Sequence, residues 1–443
     1  MSPLWVLAVP FVTAPLVYLA RRASRLAGPI SAAISLGLAL SALILPWATR
    51  AELMGWTFVF DTPRQAVYIV LQLGMAGLFL YGWRISQGWS FFPFALMASA
   101  LLGIALTSQR LLLSILALEL AGLLLVFLIQ SGARERTRGA LSFLVPWFLA
   151  GPPLVYIART LDQAALPPET APARFIAAGL AVGFGLWLGT VPFQGFPLSA
   201  LEDSPPMVSA LLLGPYRIII AALLVLALAQ HPWLAADPRI AFLLQGAGGL
   251  SILVGGVLAL LQSSPAVLLA YAALADLGVV LLAVGTGRVD IALYQLALHL
   301  GAVVLLTMSW GALRYYGALN GHHGVAAVAN RTPWAKWGYL LGGLALAGVP
   351  LSGGFISRWA LARSLAGTSP LWGALLVGAA AAVGLSYLRQ LNGGGEAVVD
   401  PPAERWVPGL VLALMVLNVG LGLVPVPLLD LARTWAQGLG FSG

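Results

Sequence analysis

The chain is 443 residues long, 60% hydrophobic and only 9% charged, with a mean hydropathy of +0.94. A soluble globular domain carries about a quarter charged residues, so the composition rules against a water-soluble enzyme and for a polytopic membrane protein. The net charge of +8 does not point to nucleic acid, because the basic residues are spread one or two to a loop rather than clustered. The absence of cysteine excludes disulfides, thiolate metal sites, iron–sulfur clusters and cysteine nucleophiles. All 23 basic residues except Lys336 are arginine, a cation that keeps its proton where a buried lysine can release one.

A span needs about 20 mostly apolar residues. Fourteen such runs follow in chain order: 3–20, 28–48, 64–83, 90–107, 109–129, 139–158, 174–192, 208–230, 240–262, 265–286, 290–313, 337–357, 370–389 and 405–427. The connections are short and polar, no soluble domain fits between them, and no amphipathic surface helix stands out. The expected fold class is all-α, with about 14 transmembrane helices. The first run has no basic residue before it and Arg21, Arg22 and Arg25 after it. That is the charge order of a retained span with its N-terminus outside, not of a cleaved signal peptide. Loops after odd-numbered spans hold 12 basic residues and loops after even-numbered spans hold 9. The bias is small and of the same sign, which places both termini outside the cytoplasm. Trp5, Trp47 and Trp337, near span ends, read as interfacial anchors.

An internal repeat is expected. The segments "LALELAG" around Glu119 and "AALADLG" around Asp276 match loosely, with the two carboxylates 157 residues apart. The breaks "GTVPFQGF" and "AGVPLSGGF" form a second pair, and Val191-Pro192 and Val349-Pro350 lie 158 residues apart. Two pairs at nearly one offset argue for duplication of a unit of about five spans. Proline supplies no backbone N–H and the neighbouring glycines let the chain turn, so Pro192, Pro350 and Gly354 predict interrupted seventh and twelfth spans. Such interruptions at corresponding positions are a feature of transporters.

Ionisable groups inside the spans carry the functional argument, since a charge at mid-bilayer costs about 2.5–3.5 kcal/mol even on the insertion scale. Glu119 lies in the middle of span five. Desolvation holds an unpaired carboxylate there neutral and a cationic neighbour restores its charge, as a proton relay requires; the alternative is a protonated glutamate bonded to a neighbouring helix. Arg217, ten residues into span eight, is too deep to snorkel, so it should pair with an acid, Glu119 being a candidate, or line water. Its role is direct or that of a structural ion pair. Asp276 in span ten is the repeat mate of Glu119. His299 in span eleven shares a helix face with Gln295 and suits proton transfer, although a lone histidine in an apolar helix is more often a structural hydrogen bonder. Arg358 ends the broken segment and serves the same line or anchors at the membrane edge. Gln72, Gln245, Ser251 and Tyr294 could bridge gaps with water. If these groups face the interior, they form a discontinuous polar line that makes energetic sense as an ion or proton pathway. No phosphate loop or hydrolase constellation is present, and the paired His322 and His323 have no further ligands nearby, so no metal and no cofactor is expected.

The stretch "VPFQGFPLSALEDSPPMVSALLLGPYR" resembles the P-F-H-x-W-x-P-D…P-x-x-V-S-A-x-L motif of the antiporter-like membrane subunits of respiratory complex I. These are related to Mrp-type cation/proton antiporter subunits and to membrane-arm subunits of energy-converting hydrogenases. "LLLSILALEL", "LLAYAALADLG", "GVPLSGGFISRW" and "FVFDTPRQAV" are similar to further motifs of that family, in the same order. The resemblance implies two inverted five-span repeats with broken helices seven and twelve. The corresponding division is 1–89 for the first three helices, 90–230 and 240–389 for the repeats, and 390–443 for the last helix and tail. It implies proton translocation along a central charged axis, driven by redox chemistry in partner subunits of an NADH–quinone oxidoreductase-like membrane arm in the inner (cytoplasmic) membrane, with no redox centre in this chain. Carried over, Glu119 matches the span-five glutamate, Arg217 falls at the span-eight lysine, and Arg358 at the span-twelve lysine or glutamate.

The departures are systematic. Trp187 stands at the span-seven lysine, Gln194 at the histidine after Pro-Phe, Asp276 at the common span-ten histidine, and Val303 where a lysine often follows the span-eleven histidine. Lysine-to-lysine transfer cannot operate with these residues. Protons would instead move through Glu119, Asp276, His299 and water, with Arg217 and Arg358 as fixed gates. The competing readings are a cation/proton antiporter subunit, which moves sodium or potassium against protons, and a non-pumping structural subunit of the membrane arm.

Overall fold

The computed structural model describes residues 3–19, 24–45, 47–88, 90–132, 138–163, 171–319, 328–367, 370–392 and 406–441. Arg21, Arg22, His322 and His323 lie outside them, as does the side chain of Arg25. The chain is a membrane-type helical protein, with a helix at each of the fourteen expected spans. In order these begin with α1 (Trp5–Leu19), α2 (Ser24–Ile44), α3 (Thr62–Arg84), α4 (Phe91–Thr107), α5 (Leu111–Gly132) and α6 (Arg138–Gln163). The seventh is interrupted, as α7 (Ala171–Leu188) and α8 (Gly195–Asp203). The eighth runs from α9 (Pro206–Leu211) through a π-helical turn (Leu212–Tyr216) into α10 (Arg217–Gln230), followed by the single turn α11 (Pro232–Ala235). Then come α12 (Pro238–Leu260), α13 (Pro265–Gly285) and α14 (Val289–Leu319). The twelfth is again interrupted, as α15 (Pro333–Ala347) and α16 (Gly353–Leu365), before α17 (Pro370–Leu391) and α18 (Trp406–Leu423). Among the described residues, ten helices are each long and apolar enough to cross a membrane, and α1, α4 and 175–188 are shorter apolar helices.

Three local features depart from the expectation. First, a small antiparallel hairpin, β1 (Thr49–Leu53) and β2 (Trp56–Phe60), precedes α3. Met54 and Gly55 both have positive φ, 53° and 80°, the two-residue turn whose twist suits a hairpin. Second, Trp47 is not an interfacial anchor: it is 3% exposed and packs its ring 5.0 Å from Phe60 and 5.3 Å from Tyr68. Trp337 is 52% exposed, as an anchor should be. Third, an amphipathic helix, α19 (Val426–Gly438), follows α18. It buries Ala432, Trp435 and Ala436 while Val426 and Leu431 stay exposed. Its apolar start, "VPLLDL", merges in sequence with the end of span fourteen, which is why the pattern is hard to separate there.

The two interruptions are built alike. Gly189 ends α7 at φ 64° and Gly348 ends α15 at φ 71°. In each, the glycine N–H reaches back three residues, to Leu186 O and to Ala345 O, both at 3.1 Å. The next N–H reaches back five, from Thr190 to Gly185 O and from Val349 to Leu344 O, also both at 3.1 Å. This is the Schellman termination, which needs a left-handed residue that glycine adopts without steric cost. The chain then passes Pro192 or Pro350 and re-enters helix at Gly195 or Gly353.

By contact density the chain falls into two compact units, Met1–Ser204 with Pro215–Leu244 and Thr434–Gly443, and Pro205–Gly214 with Gln245–Arg433. Glu119 and Arg217 belong to the first unit; Asp276, His299 and Arg358 belong to the second. In the second, α13 and α14 are almost wholly interior, 94% and 89% of their apolar windows being buried, whereas α12 and α17 bury 39% and 28%. Asp276 and His299 thus sit on α13 and α14, the more buried helices of these four.

Candidate functional site

The second unit gathers three of the five predicted residues into one cluster. Asp276 sits mid-way along α13 and is 0% exposed; His299 on α14 is 1% exposed and Arg358 on α16 is 6% exposed. Arg358 Nη2 donates to Asp276 Oδ1 at 2.6 Å. Gln295 Nε2 donates to the same oxygen at 2.6 Å, one helical turn from His299, so the shared face expected from the sequence is used. The other oxygen, Asp276 Oδ2, lies 2.6 Å from His299 Nδ1. Ser357, which the sequence reading missed, donates to Gln295 Oε1 and so fixes which end of the amide faces the aspartate. A carboxylate with three close donors, one of them a fixed cation, is the arrangement in which a buried charge is tolerated.

The broken helix places the arginine. Leu346 precedes the Gly348 turn, and its carbonyl has lost its helical partner. Arg358 Nη2 donates to Leu346 O at 2.6 Å, and Nη1 donates to Gly354 O at 3.0 Å. The guanidinium thus closes the helix end and neutralises Asp276 together. Arg358 is therefore a core group and not a membrane-edge anchor. Tyr294, the residue before Gln295, lies with its hydroxyl 3.4 Å from Gly353 O and donates to it.

His299 has a fixed tautomer at one nitrogen. Its Nε2 lies 2.9 Å from Leu213 O in the π-helical turn. A carbonyl only accepts, so Nε2 carries a hydrogen. One further proton then completes the Nδ1–Oδ2 bond, and it can reside on either atom. With it on nitrogen the pair is imidazolium and carboxylate; with it on oxygen both groups are neutral. Without it, two lone pairs face each other at 2.6 Å. No sequence signal marks Leu213, whose contribution is main-chain.

The first unit holds the other two residues apart. Glu119 on α5 is half-buried, but both of its carboxylate oxygens are sealed from solvent and neither has a hydrogen-bond partner. Arg217, at the start of α10, is 3% exposed and its Nη1 is likewise unpartnered. The expected Glu119–Arg217 ion pair is absent. Arg217 instead reaches toward the first helix break, its Nη2 3.6 Å from where a Cβ on Gly189 would lie. Gly151 of α6 packs directly on Glu119 Oε1, and any side chain there would occupy the carboxylate's place. An aromatic cluster stands beside these ions. Trp187 stacks on Trp147 at 5.5 Å and donates Nε1–H to Trp147 O at 3.1 Å. Trp147 meets Tyr216 edge-on at 6.0 Å, and Tyr216 Oη donates to Ala121 O at 2.5 Å. The tryptophan at 187 is thus locked in place by its own hydrogen bond.

Of the possible bridging groups, Gln245 is occupied, donating to Gly285 O at 2.7 Å; Gln72 and Ser251 are buried. No group of histidine and carboxylate side chains fit for a metal occurs among the described residues.

Comparison with known proteins gives a consistent result. The family described as "NADH:quinone oxidoreductase/Mrp antiporter, TM" matches residues 108–384, the range that contains all five ionisable residues. NADH-quinone oxidoreductase subunit 14 of Thermus thermophilus is 28% identical over 412 residues, covering 88% of this chain and 90% of that protein. A chain in the membrane-bound sulfane sulfur reductase, an archaeal respiratory membrane complex, is similar in fold with a TM-score of 0.86 at 16% identity, covering 98% of this chain and 96% of that one. A chain of the Mrp complex from Dietzia sp. DQ12-45-1b gives a TM-score of 0.85 at 23% identity, covering 97% of this chain, which spans about half (52%) of that longer one.

Proposed function

Because the chain belongs to the NADH:quinone oxidoreductase/Mrp antiporter transmembrane family, we propose that it is a proton-translocating, antiporter-like subunit of a multisubunit membrane complex. The complex is of the NAD(P)H- or ferredoxin–quinone oxidoreductase type, and its redox chemistry resides in partner subunits. The observation that carries this reading is the Asp276–His299 bond of 2.6 Å with Nε2 already committed to Leu213 O. It leaves one proton on a line between an acid and a base, inside apolar helices. Arg358 supplies a charge that does not titrate and keeps Asp276 in place through both states. Loss of the proton brings two lone pairs face to face, so deprotonation drives a change of geometry. That coupling is what a translocating element requires.

In the first unit Glu119 is the exchangeable group, and Arg217 acts on it as a fixed positive charge at a distance. The residues 90–230 and 240–389 are taken as the two five-span repeats, in inverted relation. The subunit resides in the cytoplasmic membrane with both termini outside the cytoplasm, and protons are the transported ion. A protease- or thiol-accessibility map of introduced terminal tags checks the orientation. Glu119→Gln and Asp276→Asn, each in the assembled complex in vesicles, should lower protons moved per electron while electron transfer persists. Unchanged pumping in both sinks the proposal, and dependence of pumping on sodium or potassium moves it to cation/proton exchange.

A second reading rests on Trp187. With that ring stacked and hydrogen-bonded, the first unit lacks a cation at the position where the family's lysine is expected, and the subunit serves as a structural part of the membrane arm. It predicts that Glu119→Ala leaves pumping and assembly untouched.

A further inference from the structure

A cavity of about 1000 Å³ in the first unit draws together side chains from separate elements. Arg50 comes from β1, Arg64 from the first turn of α3, Arg110 from the residue before α5, and Arg159 from near the end of α6; Asp61 and His231 also line it. Asp61 is committed. It caps α3, accepting the backbone N–H of Arg64 at 2.9 Å, and it forms an ion pair with the Arg64 side chain. Arg64, 5% exposed, gives its Nε–H to Leu106 O at 3.1 Å. That pair is neutral and built into the fold.

Arg50, Arg110 and Arg159 are different. All three are exposed, and none has an acidic partner within ion-pair distance among the described residues. Glu52 shares a strand face with Arg50, yet forms no ion pair with it. Arg50 stands close enough to Arg64 for the two to repel. Arg110 lies over the Trp56 ring at 5.8 Å, a stacking that leaves its N–H edge open for an in-plane acceptor. The cavity therefore concentrates three guanidiniums that no acid among the described residues pairs with, and like charges so placed call for an anion. Leu112 and Leu161 give the same cavity apolar wall. It opens where α3 and α5 begin and where α6 and α10 end, the level at which the hydrocarbon of a bilayer gives way to headgroups.

We propose that this cavity binds a phosphate-bearing anion, held by the forked N–H groups of Arg50, Arg110 and Arg159. Guanidinium pairs with phosphate through two parallel hydrogen bonds, which suits several arginines around one tetrahedral group. The phosphate belongs to an acidic phospholipid or is free in solution, and the size and apolar wall of the cavity suit the former.

The test uses the full-length protein in the complex that contains it, purified in detergent. It is titrated separately with phosphatidylglycerol, phosphatidylcholine and inorganic phosphate, and bound molecules are counted by native mass spectrometry. One phosphatidylglycerol should bind roughly tenfold tighter than phosphatidylcholine. The double variant Arg110→Gln/Arg159→Gln should erase that preference, while Arg110→Lys/Arg159→Lys keeps part of it. These positions are exposed and spare the Asp61–Arg64 pair; the single variants Arg110→Gln and Arg159→Gln, each expected to lose part of the preference, serve if the double variant does not accumulate. Phosphate binding that the same arginines control, with no preference between the lipids, assigns the site to free phosphate. Equal binding of the two lipids together with no phosphate binding overturns the proposal, as does a preference that survives every glutamine variant.

Discussion

The two helix breaks use one backbone device and surround it with opposite chemistry. At Gly348 the turn is followed by a closed ionic cluster in which Arg358, Asp276, His299 and Gln295 satisfy one another and the freed carbonyl of Leu346. At Gly189 the same turn faces Arg217 with an unpartnered Nη1, while Glu119 keeps two unpartnered oxygens and the neighbouring volume is filled by Trp147, Trp187 and Tyr216. Termination geometry thus settles where a helix stops and leaves open which charges stand behind it. The second unit holds its ions at low energy, while the first holds them unsatisfied and confined by aromatic packing.

The largest effect that would break this contrast is expected from Asp276→Ala. It strands Arg358 in the interior, and removing one member of a buried pair costs about 3–5 kcal/mol. Thermal unfolding of the purified complex measures it. Adding Arg358→Leu should recover most of the loss, because the uncompensated charge goes with it; no recovery would mean that Asp276 acts through packing alone. Next comes Gly348→Ala, placed at φ 71° with a Cβ that would meet the Arg358 guanidinium. A left-handed alanine costs about 1–2 kcal/mol, and the displaced arginine should lower proton transport as well. Gly151→Ala should be smaller in stability, about 1 kcal/mol, and selective in function, since the new methyl takes the place of Glu119 Oε1. The smallest structural effect is expected for Glu119→Gln. With no hydrogen bond to lose, its unfolding midpoint should correspond to a change within about 1 kcal/mol, whereas transport falls. A destabilisation as large as that of Asp276→Ala would show that Glu119 is anchored after all and would erase the distinction between the units.

Much of this was legible in the residues themselves. Fourteen apolar runs, the breaks at Pro192 and Pro350, and the Gln295–His299 spacing follow from length, proline chemistry and helical period, and each is realised. Three kinds of information are not written there. Leu213 acts through its carbonyl, and any residue supplies one. The absence of a Glu119–Arg217 pair depends on how α5 and α10 pack, which charge alone does not specify. The β1–β2 hairpin turns on Met54-Gly55 rather than on an Asn-Gly or Asp-Gly pair, so its strongest local marker is missing.

The bond from His299 Nε2 to Leu213 O has one more consequence. With that nitrogen occupied, the imidazole takes up and surrenders hydrogen through a single door, the Nδ1 side. Such a ring is a cul-de-sac: it stores but does not pass along. Onward conduction demands that the ring swing out, and when it does, the widened turn at Leu212–Tyr216 loses a donor and must find another. In the proposed pathway, traffic through this histidine is therefore metered by the backbone of a different helix.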